Sequence, residues 1–268
     1  MAQPQALTLD SCRSALAQIR LIATDMDGTL TQAGQFRPSL LLALAQVQAA
    51  GIPVLVVTGR SAGWVSGLVH YLPITGGIAE NVGLYFSQAA PQWLQPIADL
   101  ASHRQRLQAQ FSRLQQQCPH IQESSDNRFR LTDWTFDVAG LSPATLQQMT
   151  DSCRDNGLGF TYSTVQCHIK LADQDKATGL WQVLQQQYPQ LTPAQVLTVG
   201  DSPNDESLFD RRQFPCSVGV ANVRHYLDEL AHRPAYITQA EAGQGFCELV
   251  EWLLAAQTLE KSSVGPPC

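Results

Sequence analysis

Residues 53–59 read PVLVVTG, an apolar run almost continuous in β-branched side chains and cut off by Thr-Gly. A strand with one wet face alternates polar and apolar residues. A strand without polar positions is buried on both faces, which is the condition of an interior strand in a parallel sheet. IRLIATD (19–25) and QVLTVGD (195–201) have the same character, and each stops at an aspartate. Helical signals fall between these runs. PSLLLALAQVQAAG (38–51) opens near a proline and closes on a glycine, SAGWVSGLVHYL (61–72) follows the second strand, PNDESLFD (203–210) starts a further helix, and GQGFCELVEWLLAA (243–256) is an amphipathic close. GGIAENVGLYF (76–86) reads as a strand or hairpin, and CSVGVAN (216–222) and AYIT (235–238) as short strands. This alternation predicts an α/β fold, a doubly wound parallel sheet with helices on both faces.

The middle of the chain breaks the pattern. Residues 87–169 hold a Gln-rich helix at 100–117, a helix at 142–156, and the β-prone stretches RFRLTDWTFDVAG, GFTYS and VQCHIKL, several with the alternation of a half-wet sheet. The expected organisation is an N-terminal extension (1–18), a core domain split over 19–86 and 170–257, an inserted α+β domain at 87–169, and a flexible tail at 258–268. The net charge of −6 and the lack of a basic stripe argue against a nucleic-acid partner. No apolar run approaches the length of a membrane span, and the N-terminus lacks the basic and apolar blocks of a signal peptide. Seven scattered cysteines without a C-x-x-C pair argue against a disulfide framework or a zinc site and for a reducing, cytoplasmic setting.

In an open parallel sheet, ligands bind outside the carboxyl ends of the strands. Three chemically loaded stretches fall at such ends: DMDGT (25–29), TGR (58–60) and GDSPND (200–205). A fourth, DKATGL (175–180), opens a helix. Clustered carboxylates repel and raise one another's pKa unless a cation sits among them. Oxygen donors with no His or Cys beside them point to Mg²⁺. Among such groups Asp25 can act as a carboxylate nucleophile toward phosphorus, and Asp27 can protonate a leaving oxygen and then activate water. Gly28 lets the backbone turn close to a phosphate. Thr58 and the N–H groups around Gly59 can hold phosphoryl oxygens, with Lys176 supplying positive charge.

DMDGT, then VVTGR, then the lysine of DKATGL, then GDSPND resembles the four-motif signature of the haloacid dehalogenase superfamily of phosphatases, over nearly the whole chain. The insertion after the second motif is similar to the cap of the Cof-like, type IIB branch, which includes sucrose-phosphate phosphatases. DNRFRLTDWTFDV and FTYSTVQCHIKLADQDKATGL look most like archaeal-type phosphoglycolate phosphatases. The resemblance implies a Mg²⁺-dependent phosphatase acting on a small phosphorylated metabolite through a phosphoaspartate. It implies Asp25 as nucleophile and metal ligand, Asp27 as acid/base with its backbone carbonyl on the metal, Thr58 and Lys176 on the phosphate, Asp201 and Asp205 on the metal, and Asn204 near Lys176 or the phosphate. One departure is ENVG (80–83), where the branch often carries ENGG.

Competing readings stand beside these. Asp25 and Asp27 could be a turn pair, Thr58 a helix N-cap, Lys176 a solvated helix residue with Lys170 as its rival, and Asp205 a first-turn acid. His168 reads more simply as a satisfied histidine in a strand. Arg128 and Arg130 either pair a substrate carboxylate or face solvent, and Trp64, Trp134, Trp181 and Trp252 read as packing. The alternative functions are a sugar-phosphate phosphatase of the same branch, a phosphomutase, and a phospho-aspartate signalling or binding module. Self-association into a homodimer is left open.

Overall fold

A computed structural model describes residues 3–163 and 165–263. In chain order its elements are β1 (Gln5–Ala6), α1 (Leu9–Ala17), β2 (Leu21–Thr24), α2 (Pro38–Ala49), β3 (Val54–Val57), α3 (Ala62–Tyr71), β4 (Gly76–Ala79), β5 (Leu84–Phe86), β6 (Gln92–Trp93) and α4 (Leu100–Gln117). Then come β7 (Trp134–Asp137), α5 (Pro143–Asp155), β8 (Leu158–Tyr162), β9 (Gln166–Leu171), α6 (Lys176–Gln187), β10 (Val196–Gly200), β11 (Cys216–Gly219), β12 (Tyr236–Ile237) and α7 (Ala242–Ser263). Short 3₁₀ segments include Ser125–Phe129 and Pro203–Phe209.

The chain forms two compact units. The first takes the described residues of Met1–Val56, Leu72–Gly76 and Leu184–Cys268; the second takes Val57–Tyr71 and Gly77–Val183.

The first unit is built on parallel strands in the order β1-β12-β11-β10-β2-β3. Every residue of β2, β3 and β10 is buried, which is why these segments carry no polar alternation. Helices α1 and α2 both pack on α7. Gln5–Ala6 and Leu9–Ala17, within the segment expected to be an N-terminal extension, are part of this unit. Gln5 and Ala6 extend the sheet beside β12, and α1 is closed by a reciprocal Thr8–Ser11 capping box. Its buried face is Cys12, Leu16 and Ala17. At the other end α7 runs to Ser263, through the first part of the segment expected to be a flexible tail. Residues 264–268 of that expected tail lie outside the described residues.

The second unit holds antiparallel β4-β5-β6 and a separate antiparallel sheet in the order β7-β9-β8. The hairpin reading of 76–86 corresponds to β4 and β5. The second sheet is covered by α4 and α5 around Phe111, Trp134, Phe136, Met149 and Ile169. Asp99 caps α4 through Ala101 N–H at 3.0 Å, and Ser142 caps α5 with Pro143 in its first turn. This unit takes in the whole of 87–169 and also 57–71, 77–86 and 170–183. One carboxylate explains much of that reach. Glu80, fully buried just after β4, accepts hydrogen bonds from Ala62 N–H, Leu131 N–H, Thr132 N–H and the Thr132 hydroxyl. It thereby ties the start of α3 to the chain entering β7.

Candidate active site

The first unit gathers three of the predicted carboxylates. Asp25 follows β2, and Asp201 follows β10, the strand paired with β2. Asp25 N–H donates to the Val199 carbonyl at 2.9 Å, so the strand register itself sets the two aspartates side by side. Asp205 lies one 3₁₀ turn further on. Asp25, Asp201 and Asp205 are all buried, and each offers an oxygen within 4.8 Å of the others.

Local chemistry holds each of them in place. Asp201 Oδ1 accepts from the Thr29 hydroxyl at 2.8 Å, and Oδ2 accepts from Asn222 Nδ2 at 2.9 Å. Asp205 Oδ2 accepts from the N–H groups of Asp201 and Ser202 at 2.9 and 3.2 Å. Two glycines make room. Gly28 has φ +81°, and a Cβ there would stand 2.5 Å from Asp201 Oδ2. A Cβ on Gly200 would stand 2.5 Å from the Asp205 carboxyl carbon. Gly28 is therefore required both by its backbone angle and by the carboxylate lying against it. Asp27 is half-buried in the same turn and is not one of the trio. Asn204 accepts from the Ser202 hydroxyl at 2.8 Å.

Three buried carboxylates this close fit a cation: without one, their mutual repulsion in a poorly solvated site would be severe. The donors are all oxygen, the set preferred by hard divalent ions.

The second unit carries Thr58, Gly59 and Lys176. Thr58 is buried at the end of β3. Its N–H donates to the Ile78 carbonyl at 2.9 Å, and its hydroxyl accepts from Arg60 N–H at 3.1 Å. It does not cap α3; the Glu80 carboxylate does, through Ala62 N–H at 2.8 Å. Lys176 is the first residue of α6 and only 1% exposed, so it is not a solvated helix residue. Lys170, its rival, is buried with its ammonium on the Gln174 carbonyl; burial pushes its pKa down.

The two arginines of the same unit part ways. Arg128 is exposed and lies over the Phe129 ring. Arg130 is buried, with salt bridges to Asp133 and Asp126 at 2.9 Å each and a hydrogen bond to the Gly59 carbonyl at 2.8 Å. Both sequence readings of Arg130 are corrected: it neither faces solvent nor extends a guanidinium toward a ligand carboxylate, because an internal ion-pair network takes it up. Asp133 also meets His168 Nδ1 at 2.9 Å. Burial alone would raise the Asp133 carboxyl, but Arg130 and His168 more than offset it and hold its pKa low. Burial likewise pushes the His168 imidazole below its ordinary pKa, opposed by Asp133 and aided by Arg130 and Lys176. Of the tryptophans, Trp134 packs inside the second unit, whereas Trp64 is half exposed with the Arg60 guanidinium over its ring.

Sequence reasoning passed over Asn222, Thr29, Glu80, Asn81 and Asp133. Thr29 was readable as the last position of DMDGT, and Asn222 as the polar residue after a strand of the parallel sheet. Glu80 and Asn81 lie in ENVG (80–83), which stands out in the sequence only for its departure at Val82, and Asp133 carries no comparable local signal.

Comparison with known proteins shows what the chain as a whole is similar to. The family model for haloacid dehalogenase-like hydrolases matches residues 22–95. Phosphoglycolate phosphatase 1 of Saccharolobus solfataricus is 28% identical over 243 residues, 89% of this chain and 97% of that protein. A solved structure from Thermoplasma acidophilum superposes with a TM-score of 0.71 at 20% identity, covering 88% of this chain and 98% of that one. The sucrose-phosphatase of Synechocystis, solved with sucrose and phosphate, has a TM-score of 0.65 at 16% identity, covering 88% and 98%. Among the described residues no helix is long and apolar enough to cross a membrane, and the six described cysteines are free thiols.

Proposed function

We propose that this chain, a haloacid dehalogenase-like hydrolase of the phosphatase kind, is a Mg²⁺-dependent phosphatase that hydrolyses a small phosphoglycolate-like phosphoester through a phosphoaspartate. The observation that carries the reading is the buried trio Asp25, Asp201 and Asp205. These three, with the Asp27 carbonyl, would hold the magnesium ion, which when bound neutralises the charge of the phosphoryl oxygens.

The remaining work belongs to the protein's own groups. A carboxylate oxygen of Asp25 attacks phosphorus, and the bond from phosphorus to the ester oxygen breaks. Asp27 gives its proton to the departing alkoxide. Asp27 then takes a proton from water, whose oxygen attacks phosphorus. The bond to Asp25 breaks and its carboxylate is restored. Thr58 and the N–H groups about Gly59 hold the phosphoryl oxygens, Lys176 balances their charge, and Asn204 supports that end of the site. The inserted segment 87–169 acts as the cap and supplies selectivity. Free cysteines suit a reducing compartment, which supports a cytoplasmic enzyme.

The structural similarity to a sucrose-phosphatase supports a second reading, a sugar-phosphate phosphatase with the same chemistry. Phosphate release with Mg²⁺ from phosphoglycolate, sucrose 6-phosphate, a hexose phosphate, a mononucleotide and p-nitrophenyl phosphate separates the two. Selective turnover of phosphoglycolate supports the first reading and preference for a sugar phosphate the second. No metal-dependent turnover of any probe by folded protein would refute both.

A further inference from the structure

Residues 80–82 are three consecutive non-glycine residues with positive φ: Glu80 at 54°, Asn81 at 47° and Val82 at 83°. L-residues avoid this region, β-branched ones most of all, so such a run persists only where its surroundings enforce it. The enforcement is visible. Glu80 is held by the N–H groups of Ala62, Leu131 and Thr132. Asn81 N–H donates to the Thr58 carbonyl at 3.1 Å, and Gln95 Nε2 donates to the Val82 carbonyl at 3.0 Å.

The turn presents the Asn81 side chain. It is 2% exposed, and neither Nδ2 nor Oδ1 has a hydrogen-bond partner. A buried amide left wholly unsatisfied is unusual and calls for an occupant. Its neighbours are defined by Gly59. A Cβ there would stand 2.7 Å from His168 Cε1, 2.9 Å from His168 Nε2 and 3.1 Å from Asn81 Nδ2. The Nε2 edge of His168 and the Asn81 amide therefore converge beside Gly59. The other face of the imidazole is fixed: Nδ1 meets Asp133, which Arg130 holds, and Arg130 also binds the Gly59 carbonyl. An ionised Asp133 leaves the neutral ring's proton on Nδ1, so Nε2 accepts from a hydroxyl; a carboxylate would instead require a second proton on Nε2 and be met by two donors, Nε2–H and the Asn81 amide N–H.

Gly59 directly follows Thr58, and successive Cα atoms are only ~3.8 Å apart. A ligand whose phosphoryl group rests at Thr58 reaches Asn81 and His168 with a short arm. We propose that Asn81 and His168 are a specificity pair that binds an oxygen substituent, hydroxyl or carboxylate, carried within a few bonds of the phosphoester oxygen. The proposal rests on the phosphatase reading above. It narrows the substrate class to compact, oxygen-bearing phosphoesters.

The test compares kcat/KM for ethyl phosphate, 2-hydroxyethyl phosphate and phosphoglycolate in the full-length protein with Mg²⁺. The variants are Asn81→Gly, which keeps the positive φ, and His168→Gln, which removes the imidazole. The unaltered protein is expected to prefer one oxygen-bearing probe over ethyl phosphate, and which one it prefers tells hydroxyl from carboxylate. In each variant that preference is expected to fall about 10-fold, chiefly through KM. Thermal midpoints of the variants check folding, and Asn81→Gly breaks no side-chain hydrogen bond. An equal loss on all three probes would assign the pair a structural role, with buried water on Asn81, and would overturn the proposal. So would an unchanged preference. Failure of the unaltered protein to hydrolyse any of the three probes or p-nitrophenyl phosphate would instead overturn the phosphatase reading, and this proposal with it.

Discussion

Val82 is a β-branched residue at a φ of +83°, and the structure shows how the fold accommodates it. A Cβ added to Gly179, one turn into α6 from Lys176, would lie 2.0 Å from Val82 Cγ1 and 2.5 Å from Cγ2. Carbon atoms in contact prefer ~3.5–4.0 Å. Gly179→Ala therefore forces either α6 or the 80–82 turn to move, at the ~1–3 kcal/mol of an overpacked core. The helix propensity of alanine returns about 1 kcal/mol of that. Val82→Gly alone loses a fully buried side chain, about 1.5–3 kcal/mol, and recovers ~1–2 kcal/mol of left-handed strain. In the double variant the clash is absent and the new methyl refills part of the space. Its stability loss should fall short of the sum of the single losses by about 2 kcal/mol, beyond the ~0.5 kcal/mol within which independent sites add. Urea unfolding of the four proteins measures this directly. Simple additivity would refute the claim that Val82 and Gly179 are one packing unit. Because the contact sets Asn81's turn against the helix that starts at Lys176, kcat/KM should track stability across the four proteins.

The carboxylate trio and the buried histidines carry three further predictions. Asp25→Asn should lower phosphatase turnover by at least about 10⁴-fold in steady-state assays, the scale of losing a covalent nucleophile. Gly28→Ala should destabilise by ~1–2 kcal/mol through its φ of +81°. Its methyl, 2.5 Å from Asp201 Oδ2, should also raise the Mg²⁺ concentration needed for half activity by about 10-fold or more. Burial lowers the pKa of both His168 and His103 in the folded protein. As pH falls below ~6.5 the unfolded chain takes up protons that the folded protein refuses, so stability declines toward the folded-state values. Urea midpoints should drop between about pH 6.5 and 5, less steeply in His168→Gln, and a flat profile there would contradict the burial account.

The parallel sheet was readable from the chain because strands buried on both faces must be continuously apolar, as VLVV and VLTVG are. DMDGT and GDSPND were readable because a parallel sheet gathers the carboxyl ends of its strands at one edge, so β2 and β10 bring Asp25 and Asp201 together by register. The N-terminal strand escaped notice: two exposed residues at a sheet edge have no periodicity to detect. The reach of the second unit was equally hidden, since it depends on Glu80 meeting Leu131 and Thr132 across 51 and 52 residues. His168 illustrates a different limit. Its burial beside Asp133 agrees with the simple reading of a satisfied histidine, yet only the fold reveals that its second nitrogen is turned toward Gly59 and Asn81.

The central claim is that Asp25 takes the phosphoryl group from the substrate. The most direct measurement is a rapid acid quench of the protein turning over phosphoglycolate with Mg²⁺, then peptide mass spectrometry. The account predicts a transient phosphoryl adduct on the peptide containing Asp25, absent in Asp25→Asn and absent without metal. Phosphate released at full rate with no adduct on Asp25, or with the adduct on another residue, would contradict it.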